Sequence, residues 1–287
     1  LDSAFSLLDK KGNLPDLVRK GIRVQEPVSA FTSALLGGNG DKNSVVTFLP
    51  VIGANSYDKF MIGIGVTNLR MPPNRFQFFL APFYATGSKK MTGIGFANVS
   101  LFPKGVFHKI DIGISGSSFT ADSYKDPDGN KTFLGFRKIV PGIRLTLNQK
   151  NARSHLYRFI QFKTFLIRED GLQFYRDTVI TPSGPVVTTK YRKTGTNRTL
   201  NQLMLVAENN RVLYPYRGEL KIEQSDEFVR TAFTGHYFFN YPKEGGLKVR
   251  LFAGKFFYTS SKTLSRQFAT DRYHLNMTGA NGYEDYT

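Results

Sequence analysis

The sequence predicts an all-β fold, an antiparallel up-and-down transmembrane β-barrel of which about 11–12 strands are visible. Three observations support this prediction. The 287 residues include 26 Phe, 14 Tyr and 27 Gly, a mixture that favours strands and tight bends over helices. Many segments alternate between apolar and polar residues, and the connections between them fall into short and long classes.

The alternation is clearest in "VLYPYRGELKIEQ", residues 212–224. Successive side chains of a strand point to opposite faces, so one side of this segment is apolar and the other carries charge. The apolar parity comprises Tyr214, Tyr216, Gly218, Leu220 and Ile222, and the charged parity includes Arg217, Glu219, Lys221 and Glu223. The first parity resembles a lipid face with an aromatic girdle near one end, and the second would line a wet lumen.

The first part of the chain, 1–44, differs from the remainder. Its short amphipathic turns are interrupted by Gly12 and Pro15, and "LLGGNGDKNS" precedes the first predicted strand. We interpret 1–44 as a periplasmic linker or plug-like lead-in and 45–287 as the barrel. The chain begins at Leu1 without an export signal, so we expect a mature piece.

From residue 45 onward, extended segments recur. They are predicted at 45–53, 58–69, 75–87, 90–103, 107–119, 132–149, 154–168, 197–208, 212–224, 228–241 and 246–261. Short turns such as "MPPN" and "ENNR" follow every second strand, whereas the intervening connections include long polar ones at 119–132 and 169–196. The second of these contains its own β-like pair around "TPSGP". Short turns at one end and long loops at the other are typical of bacterial outer-membrane barrels.

Alternation assigns residues to the two faces of the wall. The predicted lipid-facing residues are Ile62, Ile64, Ile112, Leu220, Ile222 and Val249. The predicted lumen-lining residues are Lys109, Arg144, Arg217, Lys221, Lys248 and Arg250. The alternative is a soluble β-rich barrel or sandwich that binds an apolar ligand, in which the apolar parity would face inward. Burial of Ile112 relative to Lys109 separates the two hypotheses.

The net charge of +17 is compatible with nucleic acid, anionic lipid or a basic channel lining. Basic residues such as those of "KYRKTGTNR", 190–198, are spread over many strands and loops and form no single patch. We therefore expect outer-membrane lipid as a partner, with other envelope proteins completing or plugging the barrel, and no nucleic acid. The predicted lumen cations outnumber Glu219 and Glu223, so an open pore would favour anions.

No motif nominates a catalytic, cofactor or metal site in this chain. The four histidines lie outside any H-E-x-x-H arrangement, cysteine is absent, and "DPDGN" lacks the later ligands of a calcium loop. The two "GIG" sequences start no strand-to-helix phosphate loop. We therefore expect no cofactor in the chain and leave its enzymatic status open.

The run "MPPNRFQFFLAPFYATGSKKMTGIGFANVSLFPKG", 71–105, together with "FLPVIGANSYDKFMIGIGVTN", 48–68, resembles the C-terminal outer-membrane barrel portion of Bacteroidota proteins whose N-terminal part is an M1-type, gluzincin metallopeptidase-like domain. The resemblance covers roughly 45–150 and implies that this chain anchors a zinc peptidase-like parent in the outer membrane. None of that family's zinc ligands or catalytic residues matches a position here, so any peptidase activity would lie upstream of Leu1.

Strand parity gives a last expectation. Single-chain bacterial barrels have an even number of strands, and about eleven are counted here. If the short turns are periplasmic, the last predicted strand ends on the extracellular side, where 262–287 then lie. We therefore expect a barrel that is incomplete at its C-terminus. At least one returning strand is predicted after Thr287 or from a partner chain. The sequence thus predicts a bacterial outer-membrane anchor, and a candidate conduit, of a larger envelope protein.

Overall fold

A computed structural model of the chain describes residues 46–70, 73–151, 153–181, 184–226, 228–242 and 245–259. Strands account for most of these residues, and no helix occurs among them. The strands are β1 Thr47–Asn55, β2 Lys59–Thr67, β3 Phe76–Ala85, β4 Lys90–Leu101, β5 Phe107–Lys125, β6 Lys131–Leu147, β7 Leu156–Thr181, β8 Gly184–Asn209, β9 Tyr216–Gln224, β10 Phe228–Asn240 and β11 Gly246–Tyr258.

The strands form one antiparallel sheet in chain order from β1 to β11. The all-β class, the up-and-down topology and the count of eleven strands are therefore confirmed. The loop predicted at 119–132 was too long, whereas the β-like pair predicted within 169–196 is confirmed and extends farther than expected. Residues 119–132 and 169–196 mostly continue the flanking strands, and the β7–β8 ladder is unbroken from Leu156 opposite Asn209 to Thr181 opposite Gly184. The full length of these strands was missed because both of their faces meet solvent, where apolar–polar alternation is not required.

The sheet is open, with β1 and β11 at its two edges. A closed wall between these strands is therefore absent from the residues that the structure describes. Strand direction explains this, because with eleven alternating strands β1 and β11 run the same way and antiparallel closure requires a strand between them. The predicted strand after Thr287, and the predicted lead-in 1–44, lie outside the described residues.

Cross-strand register divides the side chains of the sheet between two faces. Directly opposed residues share a face, so the pairs Ile112–Ile143 and Asp111–Arg144 on β5 and β6 define opposite sides. We call the side of Ile112 and Ile143 the apolar face and the side of Asp111 and Arg144 the charged face. Extending the register from strand to strand assigns the paired residues of β2 to β11.

The apolar face is the exposed one. Ile112 is 48% exposed, and most of the exposed large hydrophobic side chains of the strands share its face. Lys109, on the charged face, is half-buried. The buried hydrophobic cluster also lies on the charged face and comprises Phe136, Val140, Phe165, Ile167, Leu200 and Phe228. In the described sheet, the charged face is therefore the more buried of the two.

The chain divides into two compact units. Among the described residues, 48–67 and those from 75 onward belong to one unit, and 46–47, 68–70 and 73–74 belong to the other. In the second unit, Asn74 Nδ2 donates to the carbonyl of Asn68 at 3.3 Å. In the described residues no helix is long and apolar enough to cross a membrane.

Candidate functional site

The charged face is the candidate functional site, because it gathers most of the ion pairs of the sheet. The register brings all six predicted lumen-lining residues to this face. They are Lys109, Arg144, Arg217, Lys221, Lys248 and Arg250. Their common face is a geometric finding, and their contact with a lumen remains a prediction.

Arg144 occupies the first part of this face, beside a cleft of about 340 Å³. Its Nε and Nη2 both donate to Gln161 Oε1, at 2.8 and 2.5 Å, and its guanidinium lies 4.6 Å from the centre of the Phe159 ring. Because Gln161 is neutral, these contacts hold the guanidinium in place without cancelling its charge. The Arg144 side of the cleft is therefore suited to an anion.

Asp111 borders the same cleft and balances a different cation. Lys109 Nζ lies 2.8 Å from Asp111 Oδ1, and Ser100 Oγ donates to the same oxygen at 2.6 Å. Lys163, which the sequence analysis missed, also lines the cleft and lies on the charged face. Its signal was its parity with Gln161 in the predicted strand at 154–168. The cleft thus has more cationic than anionic groups.

A second cluster is centred on Arg217 of β9. Arg217 Nη1 lies 3.1 Å from Glu208 Oε2, and Nη2 lies 2.8 Å from Glu219 Oε2. Lys221 approaches Glu219 at 3.9 Å. Arg217 and Lys221, two of the predicted lumen-lining cations, are therefore paired with Glu208 and Glu219. The net charge of this part of the face is close to zero.

A third cluster, which sequence analysis missed, is buried between β8, β9 and β10. Gln202 Nε2 donates to Glu223 Oε1 at 2.9 Å, and Arg230 Nε donates to Glu223 Oε2 at 2.5 Å. Glu223 is only 1% exposed, so its charge is stabilised by these donors and not by water. In the sequence, each of these residues is an ordinary polar residue of a strand. Their contacts depend on the register between neighbouring strands, which only the structure gives.

The cations of β11 have different surroundings. Arg250 lies opposite His236 of β10, and its guanidinium is 5.5 Å from the centre of the Phe252 ring. Lys248 lies opposite Phe238 and is exposed. Both residues are on the strand that forms one edge of the sheet.

The predicted lipid-facing residues share the apolar face. They are Ile62, Ile64, Ile112, Leu220, Ile222 and Val249. Three of them, Ile62, Ile64 and Ile112, are exposed, whereas the other three are half-buried. The contact of these residues with lipid remains a prediction.

Aromatic side chains gather at the tight-turn end of the apolar face. The Tyr237 ring lies 4.5 Å from that of Phe239 and 6.5 Å from that of Tyr214, measured between centroids. Tyr216 pairs with Tyr237 across β9 and β10. Tyr214 was predicted inside a strand, but it precedes β9 and has a φ of 53°. The structure therefore assigns it to the turn.

At the opposite end of the sheet, Asp58 links the β1–β2 turn to the β3–β4 turn and to Thr120 of β5. It accepts hydrogen bonds from Ser88 Oγ, from the Thr120 backbone N–H at 2.8 Å and from Asn55 Nδ2 at 2.9 Å. Burial raises the pKa of Asp58, but these hydrogen bonds outweigh burial and hold the pKa below its ordinary value of 3.8. The site was missed by the sequence analysis, although "NSYD" has the composition of an Asx turn.

No group of three or more His, Asp or Glu side chains with metal-binding geometry occurs in the described parts of the chain. The charged face therefore offers ion pairs and a cleft, and the sheet presents no arrangement that identifies a reaction. No protein-family model, curated protein or solved structure matches the chain.

Proposed function

We propose that the sheet is part of the wall of a bacterial outer-membrane β-barrel that anchors a larger envelope protein and provides a candidate conduit along its charged face. The observation that supports this most strongly is the inverted burial of the two faces. Ile112 and its neighbours are exposed, whereas charged and polar groups such as Glu223 and Gln202 are buried. In water, so large an exposed apolar face would be costly, whereas in hydrocarbon it is favourable.

The dimensions of the apolar face also support a membrane wall. On β6 it extends from Ile139 to Leu147, through Pro141, Ile143 and Leu145, without a charged residue on that face. A barrel strand crosses the hydrocarbon in about 9–11 residues. The aromatic group around Tyr237 lies at one end of this band, where barrels have an aromatic girdle.

The charged face supports the conduit. Arg144 is fixed by the neutral Gln161, and Lys163 borders the same cleft, so the wall has an excess of positive charge there. Such a lining would concentrate anions. The proposed parent, an M1-type metallopeptidase-like protein of Bacteroidota, rests on the sequence resemblance alone.

Membrane partition of two charge-insertion variants tests the proposal. Ile112→Arg places a cation on the apolar face, and Ser115→Arg places the same cation on the charged face three residues later. A membrane wall predicts that Ile112→Arg destabilises the inserted protein by about 2–4 kcal/mol, whereas Ser115→Arg has little effect. If the wild-type chain is soluble and monomeric without detergent, or both variants are neutral, the proposal is wrong.

A further inference from the structure

Two arginines face each other directly across β6 and β7, on the apolar face. Arg137 is the register partner of Arg168, and both are exposed. Like charges directly opposed on one face of a sheet repel each other. Arg137 interacts electrostatically with the Asp170 carboxylate, but within the described part of the chain neither guanidinium forms an ion pair shorter than 4 Å. The nearby Asp170 carboxylate is held by Lys193 at 2.7 Å and by the Gly135 N–H at 2.8 Å. The pair thus presents an excess of positive charge.

Polar groups extend this pair into a row across four strands. Ser118 of β5 lies opposite Arg137, and Asn197 of β8 lies opposite Arg168. On the apolar face, the adjacent rung contains Ile139 opposite Leu166, which are 50% and 44% exposed. A row of hydrogen-bond donors therefore borders an aliphatic surface directly.

An apolar groove of about 740 Å³ starts beside this row and includes Arg137 and Ser118 in its lining. Its floor is low because Gly93, Gly95 and Gly116 place no side chain on the apolar face. Leu80 and Ile139 are among the larger side chains that line it. A volume of this order is typical of small-molecule sites, which usually have a few polar groups at one end.

The position of the arginines along the strand matches a membrane boundary. Leu147 at the tight-turn end of β6 is ten residues from Arg137, and a barrel strand crosses the hydrocarbon in about 9–11 residues. Guanidinium groups bind phosphate through parallel charge-assisted hydrogen bonds. Phosphate at the row and an acyl chain in the groove would satisfy both parts of the surface.

We propose that Arg137, Arg168 and the adjacent groove bind one membrane lipid with a phosphate-bearing, net anionic headgroup. The headgroup phosphate binds between the two guanidiniums, and Ser118 and Asn197 supply further hydrogen bonds. An acyl chain lies over Gly95 and Gly116 against Ile139. This inference depends on the proposed membrane location of the sheet.

Native mass spectrometry of the full chain in detergent micelles, with phosphatidylglycerol or phosphatidylcholine added, tests the site. We expect preferential retention of one phosphatidylglycerol molecule. The double variant Arg137→Gln/Arg168→Gln should weaken this retention roughly tenfold or more, because it removes charge-assisted hydrogen bonds. The matched control is Arg176→Gln/Arg192→Gln, which removes two exposed cations farther out on β7 and β8 and should retain lipid as the wild type does.

A second pair of variants tests the groove. Gly116→Leu adds a side chain to its floor, where a Cβ would meet only the Lys138 carbonyl oxygen at 3.4 Å, and it should also weaken retention. Gly218→Leu makes the same change on the apolar face of β9, where the nearest atom would be 3.8 Å from the Cβ, and it should have no effect. Equal effects of the two variants would overturn the acyl-chain assignment.

Millimolar inorganic phosphate distinguishes a lipid from a free anion. We expect it not to displace phosphatidylglycerol, and displacement would overturn the choice of a lipid. If the chain inserts into vesicles but the Arg137/Arg168 variant retains lipid like the wild type, the lipid site is wrong and the proposed function stands. If the chain does not insert at all, the proposed function fails and the lipid site fails with it.

Discussion

Arg230 and Glu223 form a buried ion pair across β9 and β10, in which Arg230 Nε donates to Glu223 Oε2 at 2.5 Å. Because Glu223 is 1% exposed, Arg230→Met would leave a buried carboxylate without its main counter-charge. We expect a loss of about 3–5 kcal/mol in the free energy of unfolding. Urea titration followed by circular dichroism measures it, since the chain lacks tryptophan.

The control for the buried pair is Lys221→Met, which removes a cation from the same face. Lys221 lies 3.9 Å from Glu219, so its removal should cost less than about 1 kcal/mol. The double variant Glu223→Met/Arg230→Met should recover much of the loss, because no buried charge is left alone. Equal losses for Lys221→Met and Arg230→Met would contradict this account of the pair.

Stability should fall at acid pH because of Asp58. Its pKa is lower in the folded chain than the ordinary 3.8, so its contribution is fully present above pH 3.8 and is lost as pH falls through the folded-state pKa. Asp58→Asn should therefore lower the thermal midpoint at neutral pH, and its difference from the wild type should shrink at the acid end. The exposed loop variant Asp128→Asn is the control. A difference that does not change with pH would exclude the carboxylate as the cause.

Ion selectivity should depend on the cleft at Arg144. In the complete barrel we expect a preference for anions, measured from reversal potentials in planar bilayers. Arg144→Glu/Lys163→Glu should reduce or reverse this preference, whereas Arg192→Glu, on an exposed part of β8, should change it little. A cation preference in the wild type, or no conductance after removal of 1–44, would count against an anion conduit.

Closure of the sheet should require a strand between β1 and β11, because these edges run in the same direction. Neighbouring strands are about 4.8 Å apart, so an intervening strand would separate the two edges by roughly 10 Å, too far for a disulfide. Cysteine pairs joining Ile52 to Val249 or Leu251, all of which lie on the apolar face, should therefore not oxidise. Thr234→Cys/Phe252→Cys, a directly opposed pair on β10 and β11, is the positive control. Rapid bridging of β1 to β11 would make the additional strand unnecessary.

The alternation in the sequence was sufficient to predict the sheet. It also predicted that residues as distant in sequence as Lys109 and Arg250 lie on the same face. A period of two determines the side of each residue, whichever strand is its neighbour. Where the alternation is irregular, as in 169–196, the same rule indicated only a β-like pair within a long connection, whereas the structure continues β7 and β8 through most of the segment. The contacts of Glu223 with Gln202 and Arg230 required the register, since their positions in the sequence are 21 and 7 residues apart.

The most direct test of the membrane wall is the solvent that each face meets. The chain has no cysteine, so single cysteines can carry spin labels without other changes. Labels on the apolar face at Ile112, Leu220 and Val249 are compared with labels on the charged face at Lys109, Lys221 and Lys248, in lipid vesicles. We expect oxygen, which partitions into hydrocarbon, to relax the spin labels of the first set more strongly. A water-soluble nickel chelate should relax those of the second set more strongly. Equal access of the chelate to both sets, or the reverse pattern, would contradict a lipid-facing apolar side.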